Sequence, residues 1–125
     1  MRIAGLTLAI IALSVSAASA SPTPKPACLK TASSQTAMNQ CAGRWLSNAQ
    51  ARLSKTLTLA RLKLGRKPVD ASETAWIAYR NAECRLQAAR YAGGSIYPLV
   101  YLTCEERLTD TRTAQVQSDI ANVSH

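Results

Sequence analysis

Apolar side chains recur at steps of three and four along most of this chain. From Met38 they fall at Cys41, Trp45, Ala49, Leu53, Leu57, Ala60 and Leu64, a spacing that keeps them on one face of a helix. Ser33 or Ser34 can cap its start, and Gly65 suits its C-terminal stop. At about 30 residues this first helix is about 45 Å long. Pro68 closes the connection, and Asp70 stands three residues before Glu73, the spacing of a capping box. A second helix is expected from there, with Trp76, Ile77, Arg80, Cys84, Ala88 and Tyr91 along one side, broken at Gly93-Gly94. Ser95 can cap a third helix, with Pro98 in its first turn and Tyr97, Tyr101, Cys104, Leu108 and Thr111 at helical spacing. From Asp119 to His125 the tail is polar and is expected to fray. No useful stretch alternates with period two, and nothing repeats. The predicted fold is all-α: three antiparallel helices, the first one long, stapled by two disulfides.

The first 20 residues read differently. Arg2, the apolar run Leu6 to Leu13 and the small residues Ala18-Ser19-Ala20 form the three parts of a secretory signal, with Ser21 as the expected first mature residue. That run is too short for a permanent span, so no transmembrane segment is expected after cleavage. Pro22, Pro24 and Pro26 mark residues 21–27 as an extended leader. A helical domain over 28–118 and the tail 119–125 complete the organisation. Without any Phe, the interior must be built from Leu, Ala, Trp and Tyr.

Export changes the meaning of the four cysteines. In an oxidising periplasmic or secreted setting Cys28, Cys41, Cys84 and Cys104 read as disulfides rather than as nucleophiles or metal ligands. Cys84 lies ten residues before Gly94 and Cys104 ten after it, so an antiparallel hairpin brings them level. Cys28 and Cys41 then remain to tie the leader to the first helix. A Cys41–Cys84 pairing is less level about the Gly65–Pro68 turn. Three connectivities are open to four cysteines.

The formal charge of +8 is unevenly spread. Between Ser21 and Val69 stand Lys25, Lys30, Arg44, Arg52, Lys55, Arg61, Lys63, Arg66 and Lys67 with no acid, whereas five basic residues face seven acidic ones from Asp70 onward. One reading is a solvated helix partly neutralised by acids on its neighbours. The other is a binding surface for anionic envelope polymers or lipid through Arg52, Lys55, Arg61, Lys63, Arg66 and Lys67. Nucleic acid is not an expected partner, because no nucleic-acid module is present.

Catalytic chemistry is hard to assemble. The single histidine, His125, is the last residue, a poor position for a general base. No metal-ligand spacing and no phosphate loop occur, so neither cofactor nor enzyme activity is expected. Glu73, Glu83, Glu105, Glu106 and Asp110 read as surface acids on helices. Arg80 shares the stripe of Trp76 and Cys84 and should face inward, which demands a partner; Glu73, Glu105 or Glu106 can supply it. The aromatic residues read as core and core edge, with Tyr79 falling off the stripe and expected to be exposed.

Cys28 and Cys41 bracket a Thr/Ser/Gln stretch that ends in Met38-Asn39-Gln40-Cys41. Trp76-Ile77-Ala78-Tyr79-Arg80-Asn81-Ala82-Glu83-Cys84 follows the long helix, then Gly93-Gly94-Ser95, Cys104 and Arg112. This order resembles the lysozyme inhibitor LprI-type family, small exported bacterial helical proteins, over roughly Cys28 to Gln117. The resemblance implies a cell-envelope protein that inhibits lysozyme or another wall-degrading hydrolase. The chain departs from the namesake type in having no cysteine directly after its apolar run and in being strongly basic, as animal lysozymes are. The acidic second and third helices therefore offer the complementary patch, with Glu105, Glu106, Asp110 and Tyr79 as expected contacts.

Overall fold

A computed structural model of the chain describes residues 27–123. Four helices follow one another: α1 (Cys28–Thr31), α2 (Gln35–Leu64), α3 (Arg66–Ala88) and α4 (Tyr97–Asn122), with a 3₁₀ turn at Ala89–Tyr91 after α3. The expected signal (1–20), most of the Pro-rich leader and His125 lie outside the described residues. No strand occurs among the described residues.

α2 forms where its periodicity places it. Ser34 is extended at the N-cap, and its hydroxyl accepts the Ala37 backbone N–H at 3.1 Å. Cys41, Trp45, Ala49, Leu53, Leu57 and Ala60 are all buried, joined by Ala42 and Leu46. The helix stops at Gly65, whose φ of 94° lies in a region that only glycine enters without strain. The α3 helix resumes at the next residue, four positions before Asp70. The capping-box reading of Asp70 is thus corrected: its carboxylate instead accepts from Arg61 Nε at 2.7 Å. Pro68 is tolerated in the first turn of α3, where its missing N–H has no intrahelical role. A Cβ on Gly65 would meet only Pro68 carbons at 3.6 Å, ordinary contact. Gly65→Ala should therefore cost about 1–3 kcal/mol through backbone strain rather than through a clash. Thermal unfolding of the variant checks this, and an unchanged midpoint would contradict it.

The three long helices run up, down and up. Asn39 donates to the Ser95 carbonyl and Arg52 to Asp110, so α2 and α4 rise in parallel. Cys84–Cys104, Arg80–Glu105 and Glu73–Arg112 pair in opposite chain directions, so α3 and α4 are antiparallel. α4 packs on both other long helices, most extensively on α2. Its N-cap is Ile96 rather than Ser95, with Pro98 in its first turn. It continues to Asn122, so residues 119–122 are helical rather than frayed.

Near the Gly65 end, Leu53, Leu57, Ala60, Val69 and Val116 form the apolar cluster, flanked by Leu64, Trp76 and Ile120. The buried face of α4 is not the expected stripe. It comprises Cys104, Glu105, Glu106, Thr109, Thr113 and Val116, while Thr111 is exposed. The two buried threonines return their hydroxyls to carbonyls one turn back, Thr109 to Glu105 at 2.7 Å and Thr113 to Thr109 at 3.1 Å. With the hydroxyl so satisfied, each offers its methyl group to the core.

Both disulfides form: Cys28–Cys41, with Cα atoms 5.9 Å apart, and Cys84–Cys104, at 5.5 Å. The first holds α1 against α2; the second clamps α3 to α4. The turn between α3 and α4 closes with Gly93 at φ 79° and Gly94 N–H donating to the Tyr91 carbonyl at 2.9 Å.

Candidate functional site

α3 has two unlike sides. The inner side faces α4 through a column of charged and aromatic groups. Glu73 accepts from Arg112 Nε at 3.2 Å, and Ser72 from Arg112 Nη2 at 2.8 Å. Trp76 comes next, half-buried, with the Arg80 guanidinium carbon 5.2 Å from its ring centroid and that of Arg112 at 5.9 Å. Such placement of cations at an indole is favourable. Arg80 Nε then lies 3.3 Å from Glu105 Oε1, its other nitrogens reaching Asn81 and Thr109. Tyr101 donates its hydroxyl to the same Glu105 oxygen at 3.0 Å. Burial first, then that bond to Glu105, push the Tyr101 hydroxyl above the usual tyrosine range. The Cys84–Cys104 bridge completes the column.

This arrangement supplies the partner that Arg80 requires and corrects the reading of the acids. Glu105 and Glu106 are only 6% and 3% exposed. Neither can serve as a surface contact for a partner, and Glu73 is buried with them. Glu106 is excluded from the surface although its polar character on α4 suggested otherwise. Asp110 remains partly accessible, but its carboxylate is held by Arg52 at 2.6 Å. The long buried Glu73–Arg112 pair escaped sequence reasoning, because a polar residue at core spacing reads as surface.

The outer side of α3 is open. Tyr79, off the stripe, is 56% exposed, and Leu86, seven residues later on the same side, is 72% exposed. Both lie on the side of the helix away from Cys84. Glu83 stands between them, accepting from Gln87 at 2.7 Å. Leu86 was not singled out by periodicity, yet its place outside the Trp76–Cys84–Ala88 stripe is the signal that marks it. Of the expected hydrolase contacts on α3 and α4, Tyr79 is the one that stands exposed, with Glu83 and Leu86 beside it.

The basic residues divide in the same manner. Arg52 and Arg61 face carboxylates of α4 and α3 and are withdrawn from any cationic surface. Lys63, Arg66 and Lys67 remain exposed around the Gly65 joint. A cavity of about 200 Å³ lies at that end, between Leu64, Pro68 and Val69 on one side and Arg112 and Val116 on the other. Among the described residues no group of His, Cys, Asp or Glu is gathered as a metal site, and no helix is long and apolar enough to cross a membrane.

Comparisons with known proteins identify a family. Residues 28–116 match the family model described as "Lysozyme inhibitor LprI". The chain is also 33% identical over 109 residues to an uncharacterized protein of Rhizobium meliloti (strain 1021), covering 74% of this chain and 78% of that one. No solved structure matches it. The matched span begins at the first bridged cysteine and takes in both disulfides, the Arg80 column and nearly all of α4, and over that span the chain belongs to the LprI lysozyme-inhibitor family.

Proposed function

We propose that this chain is a periplasmic or secreted, non-enzymatic binding protein that inhibits lysozyme or another cell-wall hydrolase by docking the outer side of α3 against the enzyme. Family membership supports the general role. The observation that carries the docking face is the exposed Tyr79–Leu86 pair, on a helix held from behind by Cys84–Cys104 and the Arg80–Glu105 pair. A surface fixed before binding loses little conformational freedom on association. Tyrosine is among the side chains in which interface energy concentrates. Glu83 gives this face a negative charge suited to a cationic hydrolase.

The test is lysis of bacterial cell walls by lysozyme in the presence of the oxidised protein, at low and moderate salt. Inhibition is expected at micromolar protein, with Tyr79→Ala weakening it roughly 30-fold, an interface anchor's worth, and Leu86→Ala roughly fivefold. Absence of inhibition by the parent protein removes animal lysozyme as the target. Inhibition that both variants retain removes α3 as the docking face.

A further inference from the structure

A second surface, on α2, follows from charge and exposed apolar groups together. α2 carries no acidic residue in 30 positions. Lys55, Leu59, Leu62 and Lys63 follow one another at helical spacing on its outward side. Leu59 is exposed, and Leu62 at 79% is the most exposed of the large apolar residues among those described. Gly65 turns the chain so sharply that Arg66 and Lys67 follow at once, both exposed.

Those last two cations are placed against the interests of the helix that holds them. They occupy the first turn of α3, and no acid shares that turn. A helix N-terminus is the positive end of its dipole, so lysine and arginine there are mildly destabilising. Among the described residues, Lys55, Lys63, Arg66 and Lys67 meet no carboxylate, in contrast to Arg52 and Arg61. The tip therefore gathers cations that pair with no carboxylate among the described residues, with leucines standing out of it and a single acid, Asp119, in the cavity alongside.

We propose that the outward side of α2 and the Gly65 joint form a docking surface for an anionic phospholipid bilayer. Charge complementarity alone would suit any polyanion. The exposed leucines select the bilayer, because a soluble polyanion offers nothing to bury them, whereas a membrane interface accepts apolar groups below a rim of lysine and arginine. The long stems of Lys55, Lys63 and Lys67 can lie along the same interface with their ammonium groups at the headgroups. Attachment of this kind is peripheral and reversible. It uses α2 and only the first turn of α3, well before the Tyr79–Leu86 stretch assigned above to the hydrolase, so either surface can fail without the other.

Flotation with lipid vesicles tests it. The chain is expressed with its own export signal, isolated oxidised, and mixed at low salt with vesicles of phosphatidylcholine alone or with phosphatidylglycerol added. Binding is expected only to the anionic vesicles and should weaken as salt rises. Lys63→Gln/Arg66→Gln/Lys67→Gln should reduce it roughly 100-fold, and Leu59→Gln/Leu62→Gln about tenfold. Both sets replace exposed side chains with a good helix former, and unchanged helicity by circular dichroism confirms that folding is intact. Tyr79→Ala/Leu86→Ala should float like the parent. Equal binding to neutral vesicles, no binding at low salt, or a leucine variant that binds as tightly as the parent would each overturn the proposal. The last outcome would mark a purely electrostatic site for soluble polyanions.

Discussion

Arg80→Met is expected to lower the free energy of unfolding by about 3–5 kcal/mol, because it leaves the Glu105 carboxylate buried without its countercharge. Arg80 Nε stands 3.3 Å from Glu105 Oε1, and both side chains are largely shielded from water. The guanidinium also covers one side of Trp76 and reaches Thr109 and Asn81. Its loss therefore removes a cation–π contact and several hydrogen bonds together. The size of the effect lies mainly in the stranded carboxylate, not in the attraction that is lost. Arg80→Met/Glu105→Leu should consequently recover most of the loss, since the desolvation cost of both charges disappears with them. Urea denaturation of the two single variants and the double variant measures the coupling. A single variant within 1 kcal/mol of the parent would mean that water reaches the pair.

The second large effect concerns the disulfides, which should not be equal. In the chain-entropy model the loops closed by Cys28–Cys41 and Cys84–Cys104, with separations of 13 and 20 residues, stabilise by about 3 kcal/mol each. That figure assumes that the native state keeps its structure when the bridge is cut. For Cys84–Cys104 it does, because α3 and α4 remain pressed together by the Glu73, Trp76 and Arg80 contacts. Cys84→Ala/Cys104→Ala should thus cost the full amount, about 3 kcal/mol. α1 buries no residue of its own and packs chiefly on α2. Without Cys28–Cys41 it is free to unravel in the native state, which regains much of the entropy the bridge had removed. Cys28→Ala/Cys41→Ala should then cost only about 1 kcal/mol. Against a total stability of about 5–15 kcal/mol for a domain, the Cys84–Cys104 pair decides survival on heating. Paired thermal melts of the two variants check the ranking, and equal losses would contradict it.

Much of the fold was legible because α2 obeys a simple rule. Its buried positions are apolar, so the run from Cys41 to Ala60 names the core directly. The Cys84–Cys104 pairing was equally readable, since both residues stand ten positions from Gly94. α4 was not readable in this way. It buries Glu105, Glu106, Thr109 and Thr113, and hydrophobicity carries no information about polar groups that are satisfied after folding. Only Arg80 pointed toward the truth, because an arginine on an inward stripe implies a buried acid opposite. The start of α3 was misplaced for a different reason: one glycine at positive φ can replace a whole linker, and no periodicity reveals that. The exposure of Tyr79 was legible from its departure from the stripe. Leu62 and Leu86 depart from theirs in the same sense, and the same criterion applied to leucine would have found them.

The column between α3 and α4 also fixes how those helices meet. A slip of one turn toward the start of α4 would set Arg80 against Tyr101 and Glu73 against Leu108, stranding charges on both helices, and would part Cys84 from Cys104. The small side chains buried along these two helices, Cys84, Ala88, Cys104, Thr109 and Thr113, have little shape with which to forbid such slips, so charge takes over the task.

The two kinds of tie sit at opposite ends of the molecule. Cys41, Cys84 and Cys104 lie toward the Gly94 turn, whereas the apolar cluster around Leu57 and Val116 lies toward Gly65. One end is joined by bonds that thermal motion does not break, the other by contacts that it does. When the Gly65 end loosens, the sulfur-linked end keeps α3 and α4 in alignment and at high effective concentration. Reclosure of that pair is a unimolecular zipping from a fixed starting point, not a search, and the bundle behaves as a clasp that cannot lose its hinge.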